Sequence, residues 1–365
     1  MNHFKNYLAV GLAVALTVVS GTFIKNEDNV TVGEGKGKSE KVQTMGKLAR
    51  VWDATGSFLE TGTGPSYGED SEEVYTSVTI DLVSQTTNKT SMGFGDGLLT
   101  TRSVMDRTMT CSFTGTEAYY EVDATIYSDT IQYSGESWVE TSLLFDMEFE
   151  MYMNAEYATI RLSQFDIKNV TESDEEDYEE SDQEATVRDV VAKMLNKWLP
   201  SELFEEVMGM DILGMVNQGN QQVFETFGEY LALHEDEEVD AFKKSGSVYT
   251  LKKEYAQMLG EDLSSSILGG LPPMTVEYDE DEEEEEYSPI DLMFKADLSK
   301  VTQPVLYCTY TVDYAMEGTS IDAFDRQQYV LKNINNTVIK NEPKQKDVLT
   351  VEEFFALFET EVEED

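Results

Sequence analysis

The chain has 365 residues, of which 72 are Asp or Glu and 26 are Lys or Arg, so its formal net charge at pH 7 is −46. This charge excludes proteins that bind nucleic acid or anionic lipid head groups, because basic side chains hold both kinds of ligand. A hydrophobic fraction of 40%, with 19 Tyr and 17 Phe, is enough for a large core and excludes a chain that is disordered throughout. Since all-β chains of this length often form one domain, we predict one main domain.

The first residues have the composition of a secretory signal. Lys5 precedes an apolar run from Tyr7 to Val19, and a basic start followed by such a run is typical of a signal peptide. The run is shorter than the ~20 apolar residues that a membrane span needs, and small residues allow cleavage after Gly21. We therefore predict a signal peptide over residues 1–21 and a secreted or cell-surface protein. The alternative is an uncleaved signal anchor, which would be the sole membrane attachment.

A linker and a first helix are predicted next. Residues 22–41 contain several glycines among charged residues and lack apolar periodicity, which predicts a flexible linker. A single domain is predicted over residues 42–345. Its first element is a short helix from Val42 to Trp52, because the apolar residues there follow helical spacing. The residues on this helix face are Met45, Leu48, Val51 and Trp52.

The strongest strand pattern lies near residue 150. Apolar residues alternate there with Asp146, Glu148, Glu150 and Tyr152, which predicts a strand with one buried face. A turn at Asn154 and Ala155 would lead into a returning strand over residues 158–162. The apolar face of the first strand consists of Phe145, Met147, Phe149, Met151 and Met153. Similar runs predict a large antiparallel sheet, and they cover residues 74–84, 117–127, 290–298 and 305–314.

Between the two groups of strands the apolar period changes to that of helices. Residues 183–234 are predicted to form a helical insert whose first helix ends at Pro200. Its apolar residues are Val187, Val190, Val191, Met194, Leu195 and Trp198 in the first part and Val223, Phe224, Phe227, Tyr230 and Leu231 in the last part.

Two later helices complete the plan. One is predicted from Lys252 to Leu259. The other lies in the acidic C-terminal helix or tail, residues 346–365, where Thr350 and Glu353 have the spacing of a capping box. The predicted fold class is therefore α+β: a large curved antiparallel sheet with an inserted helical block packed on one face.

The residues that could support catalysis do not form a recognisable motif. Ser66 lies in a Gly-x-Ser-x-Gly pattern but has neither a strand before it nor a helix after it, so we interpret it as a loop residue. His234 is the one histidine after the signal segment and fits a helix end. We predict a protein that is not an enzyme and has no cofactor.

The metal-binding signals are equally unspecific. One histidine and two distant cysteines cannot form a zinc site. Acidic runs over residues 172–184, 235–240 and 277–286 predict solvated loops. They favour loosely bound calcium or a cationic protein partner over a defined metal site, because no run has the spacing of a calcium-binding loop.

Two other patterns leave their alternatives open. Cys111 and Cys308 either form a disulfide or remain two buried thiols, because one pair of cysteines is much weaker evidence than a multi-cysteine framework. Asn-x-Ser/Thr patterns would carry glycans only in a eukaryotic secretory pathway. They occur at Asn29, Asn88, Asn169 and Asn335.

Methionines recur on the predicted strand near residue 150 and in the helical insert. They either fill a core or line an adaptable apolar cavity, since flexible thioethers suit variable lipid-like ligands. Under the second interpretation the candidate ligand-binding residues are Phe145, Met147, Phe149, Met151, Met194, Trp198 and Phe227.

The order of elements gives a resemblance to a known group of proteins. A signal, a short helix, antiparallel strands, a helical insert, further strands and the closing segment from Gln328 to Pro343 resemble the exported half-barrel proteins of the LolA and LppX type. That resemblance implies that a lipid or another amphiphile binds on the concave apolar face of the sheet, under the helices. Thr22 stands where a lipoprotein of this kind would have its lipidated cysteine, so no lipid anchor is expected.

Two functions from different classes follow. The first is an exported, non-enzymatic binding protein that holds a lipid or other apolar ligand between sheet and helices. The alternative is an acidic extracellular structural or interaction protein that binds cations or a basic protein partner and has a simply packed interior.

Overall fold

The computed structural model describes residues 38–61, 75–94, 97–134, 137–154, 157–169, 191–200, 203, 224, 226–235, 239–267, 290–316 and 319–359. Most of these residues belong to one antiparallel sheet of 11 strands. The strands are β1 (Ser77–Phe94), β2 (Gly97–Thr114), β3 (Glu117–Ser134), β4 (Ser137–Asn154), β5 (Ala158–Asn169), β6 (Trp198–Pro200), β7 (Phe242–Ser245), β8 (Val248–Leu251), β9 (Ile290–Asp297), β10 (Val305–Met316) and β11 (Thr319–Lys332).

The strands are arranged in the spatial order β6-β5-β4-β3-β2-β1-β11-β10-β9-β8-β7. The N-terminal strands β1 to β5 follow one another in chain order, and β11 returns to pair with β1 from Thr79↔Lys332 to Met92↔Thr319. The two groups of predicted strands therefore meet in the middle of one sheet. In the described part of the chain β6 and β7 are the two end strands and do not pair with each other. The predicted large antiparallel sheet is confirmed.

Alternation along the strands gives the sheet a core face and an outer face. On β4 the side chains of Phe145, Met147, Phe149, Met151 and Met153 are buried in one large apolar cluster, as predicted. Alternate residues of β9, beginning at Ile290, and of β10, beginning at Leu306, join this cluster. We call this side of the sheet the core face and the opposite side the outer face. The alternation follows from the period of two residues in a β-strand.

Strand β2 was not predicted as a separate element. All residues of its first half, from Gly97 to Asp106, are half-buried or exposed. This half also contains several Thr and Ser. Such a segment lacks the regular apolar alternation that identifies a strand in a sequence. It becomes a strand because β1 and β3 pair with its backbone on both sides.

Three helices lie next to the sheet: α1 (Met45–Thr61), α2 (Lys253–Ile267) and α3 (Val351–Glu359). Residues 191–194, 224 and 226–232 are also helical. The helix predicted from Val42 to Trp52 is confirmed in part: it begins at Met45 and continues to Thr61. Thr44 caps it by accepting a hydrogen bond from the Lys47 amide at 3.2 Å. The predicted capping box is confirmed, because the Thr350 and Glu353 side chains each accept a bond from the other residue's amide.

The helical insert is smaller than predicted in the described residues. The helix predicted to continue to Trp198 ends after residue 194, because Asn196 adopts a left-handed conformation with φ 62°. Its amide donates to the Leu162 carbonyl of β5 at 2.7 Å, and the chain then enters β6. Asn tolerates this conformation better than most residues, which makes it a natural helix stop.

The C-terminal segment wraps around one end of the sheet. Ile339 and Val348 pack on the outer face, whereas Phe354 of α3 is fully buried in the core-face cluster. Between these positions the Leu349 amide donates to the Trp198 carbonyl at 3.0 Å, and Val348 forms a parallel bridge with Trp198. This contact covers the free edge of β6, which limits edge-to-edge association with another sheet.

Candidate ligand-binding face

Six of the seven predicted ligand-binding residues lie together. Phe145, Met147, Phe149 and Met151 project from β4 into the core-face cluster, and Met194 and Phe227 enter the same cluster from helical segments. All six are buried. Sequence periodicity therefore identified residues that share one continuous apolar surface between sheet and helices.

Trp198 does not belong to this group. Its side chain packs on the outer face with Tyr119 and Tyr152, and the Arg161 guanidinium lies 5.0 Å from its ring centroid. The prediction placed Trp198 on the apolar side of a helix. Because residues 198–200 form β6 instead, alternation directs Trp198 outward and its neighbour Leu199 into the core.

Aromatic side chains cover the middle of the core face. The Trp52 ring of α1 stacks on Phe224 with centroids 4.5 Å apart and meets Tyr329 of β11 edge-on at 5.3 Å. Phe227 lies 5.0 Å from Phe294 of β9. The Trp52 indole nitrogen also donates to the Phe224 carbonyl at 2.9 Å, so α1 and the segment around residue 227 form a joined layer. We call Trp52, Phe224 and Phe227 the aromatic cover.

Beneath the aromatic cover the core face carries a polar patch, which is buried except for the half-buried Thr86. We define the polar patch as Ser84, Thr86, Arg107, Tyr310, Asp325, Gln327 and Tyr329, on strands β1, β2, β10 and β11. The ladder registers place Ser84 between Arg107 and Gln327, and Thr86 beside Asp325. These residues therefore form adjoining rows at the centre of the sheet.

Hydrogen bonds converge on the Asp325 carboxylate. The Gln327 side-chain amide donates to it at 2.9 Å, the Thr86 hydroxyl at 3.4 Å, and the Tyr310 hydroxyl also bonds to it. The Tyr329 hydroxyl donates in turn to Gln327. Asp325 is fully buried, and a buried carboxylate needs such donors to offset its lost hydration.

Arg107 supplies the opposite formal charge in the polar patch. Its guanidinium is buried, and burial lowers the pKa of Arg107 to about 10, while Cys111, Tyr329 and Asp325 act in the opposite direction. An Arg with this pKa remains protonated at neutral pH. The patch thus combines one cationic and one anionic group with neutral donors and acceptors.

Ser84 places a buried hydroxyl in the middle of the patch. Its side chain has no exposed surface, and its hydroxyl has no hydrogen-bond partner among the residues that the structure describes. A hydroxyl in this position can both donate and accept a bond. Burying it without a partner costs about 1–3 kcal/mol, so this atom is unusual in a folded core.

Of the two alternatives for the cysteines, the structure has the free thiols. Both are buried on the core face, Cys111 on β2 and Cys308 on β10, with β1 and β11 between them. Strands are about 4.8 Å apart, so this separation is too great for a disulfide. Burial raises the pKa of Cys111 to about 12 and raises that of Cys308 further. Protonated thiols are poor nucleophiles.

Of the two residues considered for catalysis, the structure describes His234. His234 is exposed in a 3-10 turn, Leu233–Glu235, and its ring meets Tyr249 edge-on at 5.3 Å. The predicted helix-end position is confirmed. Ser66 lies outside the described residues, as do nearly all residues of the three acidic runs.

The outer face of β3 and β4 carries carboxylates that lie opposite one another. The sequence pattern alone could not show these cross-strand pairs. Glu121 lies opposite Glu150, and Asp123 lies opposite Glu148. Burial raises the pKa of Asp123, and the like charges of Glu148 and Asp146 add to this effect. Like charges directly opposite each other on a sheet are destabilising. Across the described residues no group of His, Cys, Asp or Glu has the arrangement of a metal site.

One of the Asn-x-Ser/Thr patterns has a structural role. Asn335 adopts a left-handed conformation with φ 57°. Its side chain accepts a bond from the Thr76 amide at 2.8 Å and donates to Glu40 at 2.8 Å. A side chain engaged in both bonds is held against the protein, so this pattern is explained by the fold.

The polar patch left a weak signal in the sequence. Along β11 the core-face positions are Ile321, Ala323, Asp325, Gln327, Tyr329 and Leu331. The alternation is regular, but two polar residues occupy positions where a packed core would be apolar. Polar residues at core positions of a regular strand are a pattern that could have identified the patch before its partners on β1 and β2 were known.

Comparisons with known proteins give no family for this chain. No protein-family model and no curated protein matches it. Among solved structures, the translocator domain of the autotransporter NalP from Neisseria meningitidis aligns with 79% of this chain and 98% of that one, at 8% identity and a TM-score of 0.13. A search of the described helices for a segment with the length and hydropathy of a membrane span found none.

Proposed function

We propose that the protein is an exported, non-enzymatic binding protein that holds a lipid or another apolar ligand between the core face of its sheet and the helices packed on it. The observation that carries this proposal is the continuous apolar cluster that joins Met147 and Met151 of β4 to Met194 and Phe227 of the helical segments. Thioether and aromatic side chains adapt to ligands of variable shape.

The arrangement of the sheet supports the same proposal. Within the described residues the end strands β6 and β7 are not paired with each other, and side chains of α1 and of residues 226–232 pack on the core face. A curved, half-barrel shape would bring the core face around a ligand. The resemblance to exported proteins of the LolA and LppX type favours such a shape.

Native mass spectrometry of the protein secreted by its own host tests this function. We expect one or more amphiphilic molecules to accompany the protein in fixed stoichiometry and to be released by organic extraction. A protein that carries no such molecule and also takes up neither a fluorescent fatty acid nor a fluorescent fatty alcohol would contradict the proposal.

A second function is favoured by the outer face. There Asp123 and Glu148 form a like-charge pair, in a chain with a net charge of −46. A basic partner that neutralised these carboxylates would remove their repulsion. We therefore keep, as the alternative, an acidic interaction protein that binds a basic protein segment or loosely held calcium.

Binding of a lysine-rich peptide to the full chain distinguishes this alternative. The expected result is an affinity that falls steeply with salt and falls further in the variant D123N/E148Q. A glutamate-rich peptide of the same length is the control. Equal affinity of the variant and the parent protein for the lysine-rich peptide would remove the outer face from consideration.

A further inference from the structure

The polar patch is placed where a ligand of the proposed kind would be bound. It lies at the centre of the core face, and its residue Tyr329 contacts Trp52 of the aromatic cover. A ligand that displaced part of this cover would have its alkyl chain on the apolar cluster and any polar group at the patch. This placement of the ligand depends on the proposed function, because it requires a ligand between the sheet and the helices.

The charges of the patch restrict the chemistry of that polar group. Arg107 and Asp325 carry opposite formal charges, and both side chains are buried. A carboxylate or an ammonium group added to this environment would bring a charge with no counter-charge of its own. Burying such a charge is far more costly than burying a neutral hydrogen-bonding group.

Ser84 provides the polar atom that a neutral group would meet. Its buried hydroxyl has no partner within the described part of the chain, and it lies between Arg107 and Gln327 in the ladder. A ligand hydroxyl or carbonyl at this position would bond to an atom that none of the described residues bonds. The gain is that of one hydrogen bond without the desolvation of a further protein group.

We propose that the polar patch, with Ser84 at its centre, recognises an uncharged hydrogen-bonding group of an amphiphile, so that the protein selects neutral lipids with a hydroxyl or ester over fatty acids and cationic amphiphiles. Selection by a polar group in an apolar site is efficient because a mismatched ligand leaves buried groups unpaired.

A matched series of ligands with twelve carbon atoms tests this proposal on the full chain. Dodecane, dodecanol, dodecanoate and dodecylammonium share one chain length and differ only in the terminal group. Dissociation constants measured by native mass spectrometry are expected to show dodecanol binding at least about tenfold more tightly than the other three.

The variant Ser84→Ala removes one oxygen atom and tests the position of the group. Dodecanol affinity should fall by about three- to tenfold, which corresponds to one hydrogen bond, whereas dodecane affinity should not change. Ser103→Ala is the matched control. Ser103 precedes Arg107 by four residues on β2 and therefore lies on the same face of the sheet, but it is only half-buried and is not part of the polar patch. It should leave the binding of both ligands unchanged.

The outcomes separate this proposal from the function on which it rests. Equal binding of dodecane and dodecanol, or tightest binding of dodecanoate, would overturn the selection of a neutral group while leaving the carrier function in place. An unchanged dodecanol affinity in Ser84→Ala would overturn the role of the patch. Failure of all four ligands to bind would overturn the proposed function itself.

Discussion

The two faces of β4 differ sharply although they alternate residue by residue. Met147 is fully buried among apolar side chains, whereas its neighbour Glu148 is exposed and lies opposite Asp123. On the core face the side chains of the polar patch are buried, apart from the half-buried Thr86, and most have hydrogen-bond partners. On the outer face carboxylates lie opposite one another. The core face is therefore shielded from water, while the outer face is in contact with it.

Removal of the aromatic cover should have the largest effect. Trp52→Ala is expected to lower the free energy of unfolding by about 3–5 kcal/mol, because the indole contacts both the helical layer and the sheet. Guanidinium unfolding monitored by circular dichroism measures this change. Trp52→Phe should retain most of the stability. A loss below about 1 kcal/mol in Trp52→Ala would show that the cover is not packed as described.

Disruption of the polar patch should cost nearly as much. Arg107→Met is expected to destabilise the protein by about 3 kcal/mol, because it leaves the Asp325 carboxylate buried without a cationic neighbour. Adding Asp325→Asn in the same chain should restore a large part of this loss. The coupling is obtained from urea unfolding of the two single variants and the double variant. Additive losses would contradict an electrostatic link between Arg107 and Asp325.

Substitutions of two adjacent residues on β4 allow the two faces to be compared directly. Met147→Ala should destabilise the protein by about 2–4 kcal/mol through loss of buried contacts. Glu148→Ala should change stability by less than about 0.5 kcal/mol, because its side chain is exposed and opposes another carboxylate. Both values come from urea unfolding under one set of conditions. Similar losses in the two variants would contradict the assignment of Met147 to the core face and Glu148 to the outer face.

The smallest effect concerns pH. The pKa of Asp123 is raised by burial and by neighbouring carboxylates, so the folded state binds this proton more tightly than the unfolded state does. Its ionised form therefore opposes folding at neutral pH, and this penalty is lost as the pH falls through the raised pKa. Asp123→Asn should stabilise the protein by about 0.5 kcal/mol at pH 7 and by much less near pH 4.

A matched control for this pH effect is available on β9. Asp291 is exposed and lies opposite Thr311 rather than another carboxylate, so Asp291→Asn should give no stabilisation at pH 7. Urea unfolding of both variants at the two pH values provides the comparison. Equal stabilisation by the two substitutions would point to the overall negative charge and not to the pair formed by Asp123 and Glu148.

Strong alternation is the reason that much of the sheet could be predicted from the sequence. Strands β4, β9 and β10 each bury one apolar face, and the period of two residues is visible in their side chains. Strand β2 has no such pattern in its first half. This half is a strand because its backbone pairs with two neighbours. Pairing between distant strands is a long-range property that local periodicity does not contain.

The candidate site was predictable in part for the same reason. Phe145, Met147 and Met194 were identified because apolar periodicity marks residues that share a buried surface. Trp198 was assigned to the wrong face, because a helical pattern cannot show that Asn196 ends the helix and that a strand follows. The polar patch combines residues from four strands, so its assembly depends on the registers and not on any one segment.

The position of a bound ligand relative to Trp52 and Trp198 tests the central claim most directly. These residues lie on opposite faces of the sheet, and the chain has 3 Trp in all. In W138F/W198F the remaining fluorescence comes from Trp52, and in W52F/W138F it comes from Trp198. Titration of each variant with a dibrominated twelve-carbon alcohol should quench the emission of Trp52 and leave that of Trp198 unchanged. Quenching of Trp198 alone, or of neither residue although native mass spectrometry detects the complex, would contradict binding on the core face.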